Sequence, residues 1–198
     1  MRRISRLTTV GILAAACLQA AHQTVTAYVS SDVGLASPAL YMSECRAAKV
    51  FSEAGIQIKW RLGTAPSYND TMQRVVQVRI VSRAPDSANP GALAVALPYE
   101  GIHLTIFYDR VTRVMPEAPQ VLLGYVLVHE ITHLLEGFSR HSFAGVMKGN
   151  WDRMDGCRMR NDKFFLSAED TQLIHIGIAA RAARTQIASS LPSERSPR

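Results

Sequence analysis

A chain of 198 residues, 47% apolar and 19% charged, has room for one domain with a real core and too little length for two. That composition excludes a disordered protein. The formal net charge is +6, but three arginines lie in the first six residues; beyond residue 20 the balance is 19 basic to 16 acidic, or +3. With no run of Lys and Arg to concentrate it, this excess points to no nucleic-acid partner.

Arg2, Arg3 and Arg6 precede an apolar run from Leu7 to Ala21, with small residues near Ala20. This reads as a secretory signal over residues 1–20, too short for a bilayer span, and predicts a secreted or periplasmic protein. Cys17, in Leu13-Ala14-Ala15-Ala16-Cys17, faintly matches a bacterial lipoprotein site, although Ala14 stands where a larger aliphatic residue is usual. Lipid attached there would be the one expected link to a membrane. Cys45 and Cys157 remain in the mature chain, where a disulfide and two free thiols are both open readings.

Thr24 to Ser30 is a β-rich run and predicts a first strand. Ser37-Pro38 supplies an N-cap and a proline at the first helical position, opening a helix to Ala54 that stops at Gly55. Ile56 to Leu62 and Val75 to Val81 alternate apolar and polar residues, as half-buried strands do. Residues 84–91 are a turn-rich connection. Ala92 to Leu97 is a weak strand of small side chains, and His103 to Tyr108 a stronger one. Pro119 opens a helix through Leu135, apolar almost all round and therefore central and buried, with its stop at Gly137. An irregular stretch follows. Ser167-Ala168-Glu169-Asp170 resembles a capping box, with Asp in place of the usual Glu or Gln, and starts a last helix to about residue 187. The domain is thus expected over residues 23–187, with a loose tail over 188–198. This order predicts an α+β fold: a twisted, mixed, five-stranded sheet with helices on one face.

The chemistry lies in His129-Glu130-Ile131-Thr132-His133 on the buried helix. Residues four apart on a helix differ by about 40° around its axis, so both imidazoles can reach one ion. Glu130, offset by one residue, can take a proton from the attacking water. Nitrogen ligands suit zinc, and leaving two imidazoles and a carboxylate buried without partners would be costly. A catalytic zinc needs a third protein ligand. His141 is the expected one, since Gly137 lets the chain turn back; His103, His175, Asp152, Asp155 and Glu169 are alternatives. Tyr108, Arg140 and Arg153 are candidates to stabilise an oxyanion, with no spacing that selects among them.

The stretch from His129 to Met147, with Gly137, His141 and Gly145 between, resembles a metzincin site, and within that clan the matrixins. Three residues separate His133 from Gly137 and three separate Gly137 from His141, where the usual pattern has two and two. The helix must therefore run longer, or its exit loop must be reshaped. A fuller similarity, over nearly the whole mature chain, is to short bacterial secreted proteins carrying HEIGHLLLG, HS, GIM and a tryptophan. Their counterparts here are His129–Gly137, His141-Ser142, Gly145–Met147 and Trp151. The resemblance implies a zincin-like single domain with a central active-site helix. It also implies one Zn2+ ion, a Met-turn at Met147, and an edge strand at Ala92, Leu93, Ala94 and Val95 that pairs with an extended substrate peptide. Trp151 could floor the site or fill the core, and the core is the expected place; for Met147, simple core packing stands beside the Met-turn reading.

The expected function is a secreted zinc metalloendopeptidase with His129, His133 and His141 as ligands and Glu130 as general base. The competing expectations are an inert zincin-shaped binding protein and a zinc hydrolase of non-peptide amides such as cell-wall components.

Overall fold

The computed structural model describes residues 23–34, 37–66 and 74–190. The expected signal, Cys17 and the tail beyond Ser190 lie outside them. The elements run β1 (Gln23–Ser31), α1 (Ser37–Glu53), β2 (Ile56–Leu62), β3 (Val75–Val81), β4 (Ala94–Ala96), β5 (His103–Phe107), α2 (Tyr108–Val114), α3 (Pro119–Glu136), α4 (Arg153–Arg160) and α5 (Ala168–Ser190).

The five strands form one sheet in the order β2-β1-β3-β5-β4. The first four are parallel, and β4 runs antiparallel to β5 at the edge. Apolar residues two apart fall opposite one another across the ladders: Val25 with Ile58, Ala27 with Val76, Val29 with Val78, Val78 with Leu104, Ile80 with Ile106. Each of these is buried. The period-2 pattern thus makes one continuous apolar face. α1 and α3 pack against each other, α1 also meets β2, and α3 meets β4 and β5.

α3 is buried at every residue from Val121 to Glu136. Pro119 opens it, and Gly137, at φ 84°, closes it with its N–H donating to the His133 carbonyl at 3.0 Å. The helix therefore continues through Glu136, which accommodates the longer spacing before His141. The Ser167 capping box is present with its aspartate: the Asp170 N–H donates to Ser167 Oγ at 3.1 Å, and the Ser167 N–H donates to Asp170 Oδ2 at 2.9 Å.

Several expectations need correction. β4 is three residues long rather than six; Leu93 and Leu97 flank it, each joined to β5 by one hydrogen bond, from the Phe107 N–H to the Leu93 carbonyl at 2.9 Å and from the Leu97 N–H to the His103 carbonyl at 3.0 Å. α2 follows β5 directly at Tyr108, where the strand was expected to continue. The stretch after His141 contains α4, which periodicity misses because its apolar residues are few; a capping box made by Asp152 and Asp155 starts it. α5 extends to Ser190, past the expected boundary at 187. Cys45 and Cys157 are both free.

α5 crosses the end of α3 at Gly177, where an added Cβ would lie 2.1 Å from the Leu135 carbonyl oxygen and 2.9 Å from that of Glu136. Backbone cannot yield to such an overlap as a flexible side chain can. Gly177→Ala is expected to destabilise the fold by about 2 kcal/mol or more, read as a lower urea midpoint at unchanged slope.

Candidate metal centre and cleft

His129 and His133 leave α3 on the same side, and their Nε2 atoms stand 3.1 Å apart. Nδ1 of His129 lies 2.8 Å from the Val146 carbonyl oxygen. A carbonyl only accepts, so the proton sits on Nδ1 and Nε2 carries a lone pair. His133 Nδ1 is buried without a well-formed hydrogen bond, although the Phe138 backbone favours the charged ring. Burial dominates both rings, pushing His129 down to about 4 and His133 to about 3. Both are neutral near pH 7.

His141 reaches the same place from the loop after Gly137. Its ring stacks on His129 at 5.3 Å and meets His133 edge-on at 5.1 Å. It also lies against Gly149, where an added Cβ would come within 3.1 Å of His141 Cγ and Nδ1. The ligating atoms of His129, His133 and His141 all fall within 4.8 Å of one another, and among the described residues this is the group of metal-ligating side chains so arranged.

The other candidate ligands are engaged elsewhere. His103 pairs with Glu100 on the surface. His175 meets the Ala54 carbonyl and the Gln23 side chain. Asp152 caps α4, and Asp155 accepts from Lys148 and Arg158. Glu169 stands in the first turn of α5, outside the histidine cluster.

Zinc fits this donor set. Ligands on tetrahedral zinc keep their nitrogens about 3.3 Å apart, close to the His129–His133 separation. Without a cation, two neutral rings facing at this distance need a shared proton, which would leave His133 Nδ1 bare in the core.

Glu130 shares the cavity wall with His129, and burial raises its carboxyl to about 7, opposed by a backbone hydrogen bond from Ala96. The cavity measures about 470 Å³ and continues past His129, Glu130 and His141 onto an apolar wall of Val114, Met115, Leu122, Val126 and Met159. Ala92, Leu93 and Ala94 form its rim. Val95 is exposed on β4, whose outer edge pairs with no strand among the described residues.

Trp151 was expected in the core. It is half-buried and packs against the core beside Phe164, and it also lines the cavity, its ring centroid 5.5 Å from that of His129 and its Nε1 donating to the Val146 carbonyl at 3.1 Å. One backbone oxygen thus steadies both rings, and no side-chain pattern could have revealed it. Met147 is fully buried in a tight turn. The Ser142 N–H donates to its carbonyl at 2.7 Å, and the Lys148 N–H donates to Gly145 at 3.2 Å. Tyr108, Arg140 and Arg153 do not line the cavity.

Neither protein-family models nor curated proteins match the chain. Among solved structures it is similar to the archaemetzincin of Methanopyrus kandleri, with a TM-score of 0.51 at 14% identity over 81% of this chain and 98% of that one. The archaemetzincin of Archaeoglobus fulgidus, complexed with malonate, aligns at a TM-score of 0.48 and 14% identity over 75% and 99% of the two chains. With the mixed five-stranded sheet and its helices, the first alignment establishes a zincin-like single-domain fold.

Behind the cluster, Glu136 is only 4% exposed. Its Oε1 accepts from Arg140 at 3.3 Å, while Oε2 has no partner. Burial raises its carboxyl to about 7 despite Arg140, with Asp170 and Glu169 adding to the rise. The folded chain therefore binds this proton more tightly than the unfolded one does. The stabilising contribution is greatest below the ordinary glutamate range, falls as pH rises from about 4.5 to 7, and is constant above that. Glu136→Gln is expected to flatten this decline and to be the more stable protein at pH 8, by on the order of 1–3 kcal/mol, in denaturant titrations across that range.

Proposed function

We propose that this protein is an exported zinc metallopeptidase that hydrolyses peptide bonds. The observation that carries the reading is the convergence of three imidazoles beside a buried glutamate at one end of an apolar-walled cavity.

His129, His133 and His141 would hold one zinc ion, which when bound supplies a Lewis acid that acidifies water and polarises the scissile carbonyl. Glu130 takes the proton from the attacking water and returns it to the departing amine. The Val146 carbonyl keeps the His129 proton on Nδ1, so Nε2 stays free to bind metal. An extended peptide lies along β4, hydrogen-bonding its open edge, while Ala92 and Ala94 leave room for close approach. A bulky apolar side chain next to the scissile bond fills the cavity wall of Val114, Met115, Leu122, Val126 and Met159. The export in this reading is supported by the basic residues Arg2, Arg3 and Arg6 and the apolar run that follows them. Among the described residues no helix is long and apolar enough to cross a membrane.

Metal-replete protein is expected to carry one zinc per chain and to cut an unstructured peptide library beside large apolar residues. Glu130→Gln should keep the metal and lose at least about a hundredfold in kcat. A preparation without zinc would remove the reading. Zinc-loaded protein that leaves every peptide intact would replace it with a binding role or with hydrolysis of another amide.

A further inference from the structure

His141 is the exposed member of the cluster, and its ring makes no hydrogen bond among the described residues. Its sequence neighbours are held instead. Arg140 Nη2 donates to Asp170 Oδ1 at 2.6 Å, Ser142 Oγ donates to the same oxygen at 2.6 Å, and Arg140 Nη1 donates to Ser142 Oγ at 3.1 Å. These three side chains close a ring across the backbone of His141. The Asp170 carboxylate is fully buried, and its second oxygen accepts from the Ser167 N–H and hydroxyl. A buried carboxylate accepting several bonds, one of them from a guanidinium, is among the firmest anchors a loop can have.

Asp170 is itself fixed relative to the other two histidines. It stands in the first turn of α5, and Gly177, about two turns further on, seats α5 directly on the Leu135 and Glu136 carbonyls of α3. The path from α3 to α5, through Asp170 to Arg140 and Ser142, ends beside the rings of His129 and His133.

We propose that Asp170, acting through Arg140 and Ser142, is the positioning residue that places His141 as third metal ligand and so sets the affinity and geometry of the centre. This rests on the metal-centre reading above. The clamp does for the long His133–His141 connection what a shorter connection would do by chain length alone. Asp170 touches neither metal nor substrate.

Zinc affinity, by competition with a chelator, and the visible absorption of the Co2+-loaded protein test the proposal. Asp170→Asn is expected to weaken zinc binding about 10- to 100-fold and to move the cobalt spectrum toward that of His141→Ala. Arg140→Lys should lose less, and combining Asp170→Asn with His141→Ala should lose no more than His141→Ala alone. Ser43→Ala removes buried hydrogen bonds to Ala39 and Gln120, near the other end of α3, and should lower Tm without moving either readout. If Asp170→Asn does not fold, Arg140→Ala and Ser142→Ala carry the test, since both spare the α5 cap. Wild-type affinity and spectrum in the clamp variants, with both altered in His141→Ala, would overturn the proposal. So would a His141→Ala protein indistinguishable from wild type. Unchanged zinc binding in His129→Ala would instead overturn the metal-centre reading itself.

Discussion

Helix α3 offers no side to water from Val121 onward, and everything at the site follows from placing polar side chains on such a helix. Desolvation is the largest influence on His129, Glu130, His133 and Glu136 alike, and in each case it favours the uncharged form. The result is a set of lone pairs held largely away from solvent, one of them aimed by the Val146 carbonyl. Such a cluster is poorly satisfied by protein partners alone and well matched to a small cation. The sheet and α1 provide the burial, and the loop over residues 138–151 provides the parts that α3 cannot.

What the amino-acid sequence disclosed tracks how local each signal is. α3 was legible because its apolar residues, its opening Pro119 and its closing Gly137 all speak within one segment. The strands were legible wherever one face is buried, since period-2 alternation survives there. His129, Glu130 and His133 followed from helical spacing alone. His141 was legible only as an expectation, because its place depends on a loop whose path no periodicity describes. Trp151 was legible only as a choice between site floor and core, because an aromatic ring serving either looks the same in sequence; it packs against the core and lines the cavity as well. The Val146 carbonyl was out of reach altogether: a backbone oxygen has no residue type. Asp170 was visible as a helix cap, but its second task depends on side chains 28 and 30 positions away.

The cleft combines two kinds of surface. Its rim is the open edge of β4, narrow and lined by small residues, and suited to backbone recognition. Its wall, behind Glu130, is apolar and suited to a side chain. Val114, exposed on the surface, belongs to that apolar wall, while Asn89, Lys148, Asn150 and Asp152 add polar groups to the lining. Trp151 joins the two functions, bounding the space a ligand would occupy while steadying His129 through a shared acceptor.

The position of β1 has a bearing on how the chain reaches this state. It is the earliest strand in the sequence, yet it pairs on both flanks, with β2 and with β3, and both ladders are parallel. One edge can pair once β2 is made, but the other stays open until β3 has emerged from the ribosome, and α5, whose first turn holds the His141 loop, emerges much later. Sheet assembly here depends on partners distant in the chain, a topology that sets folding late and makes it slow.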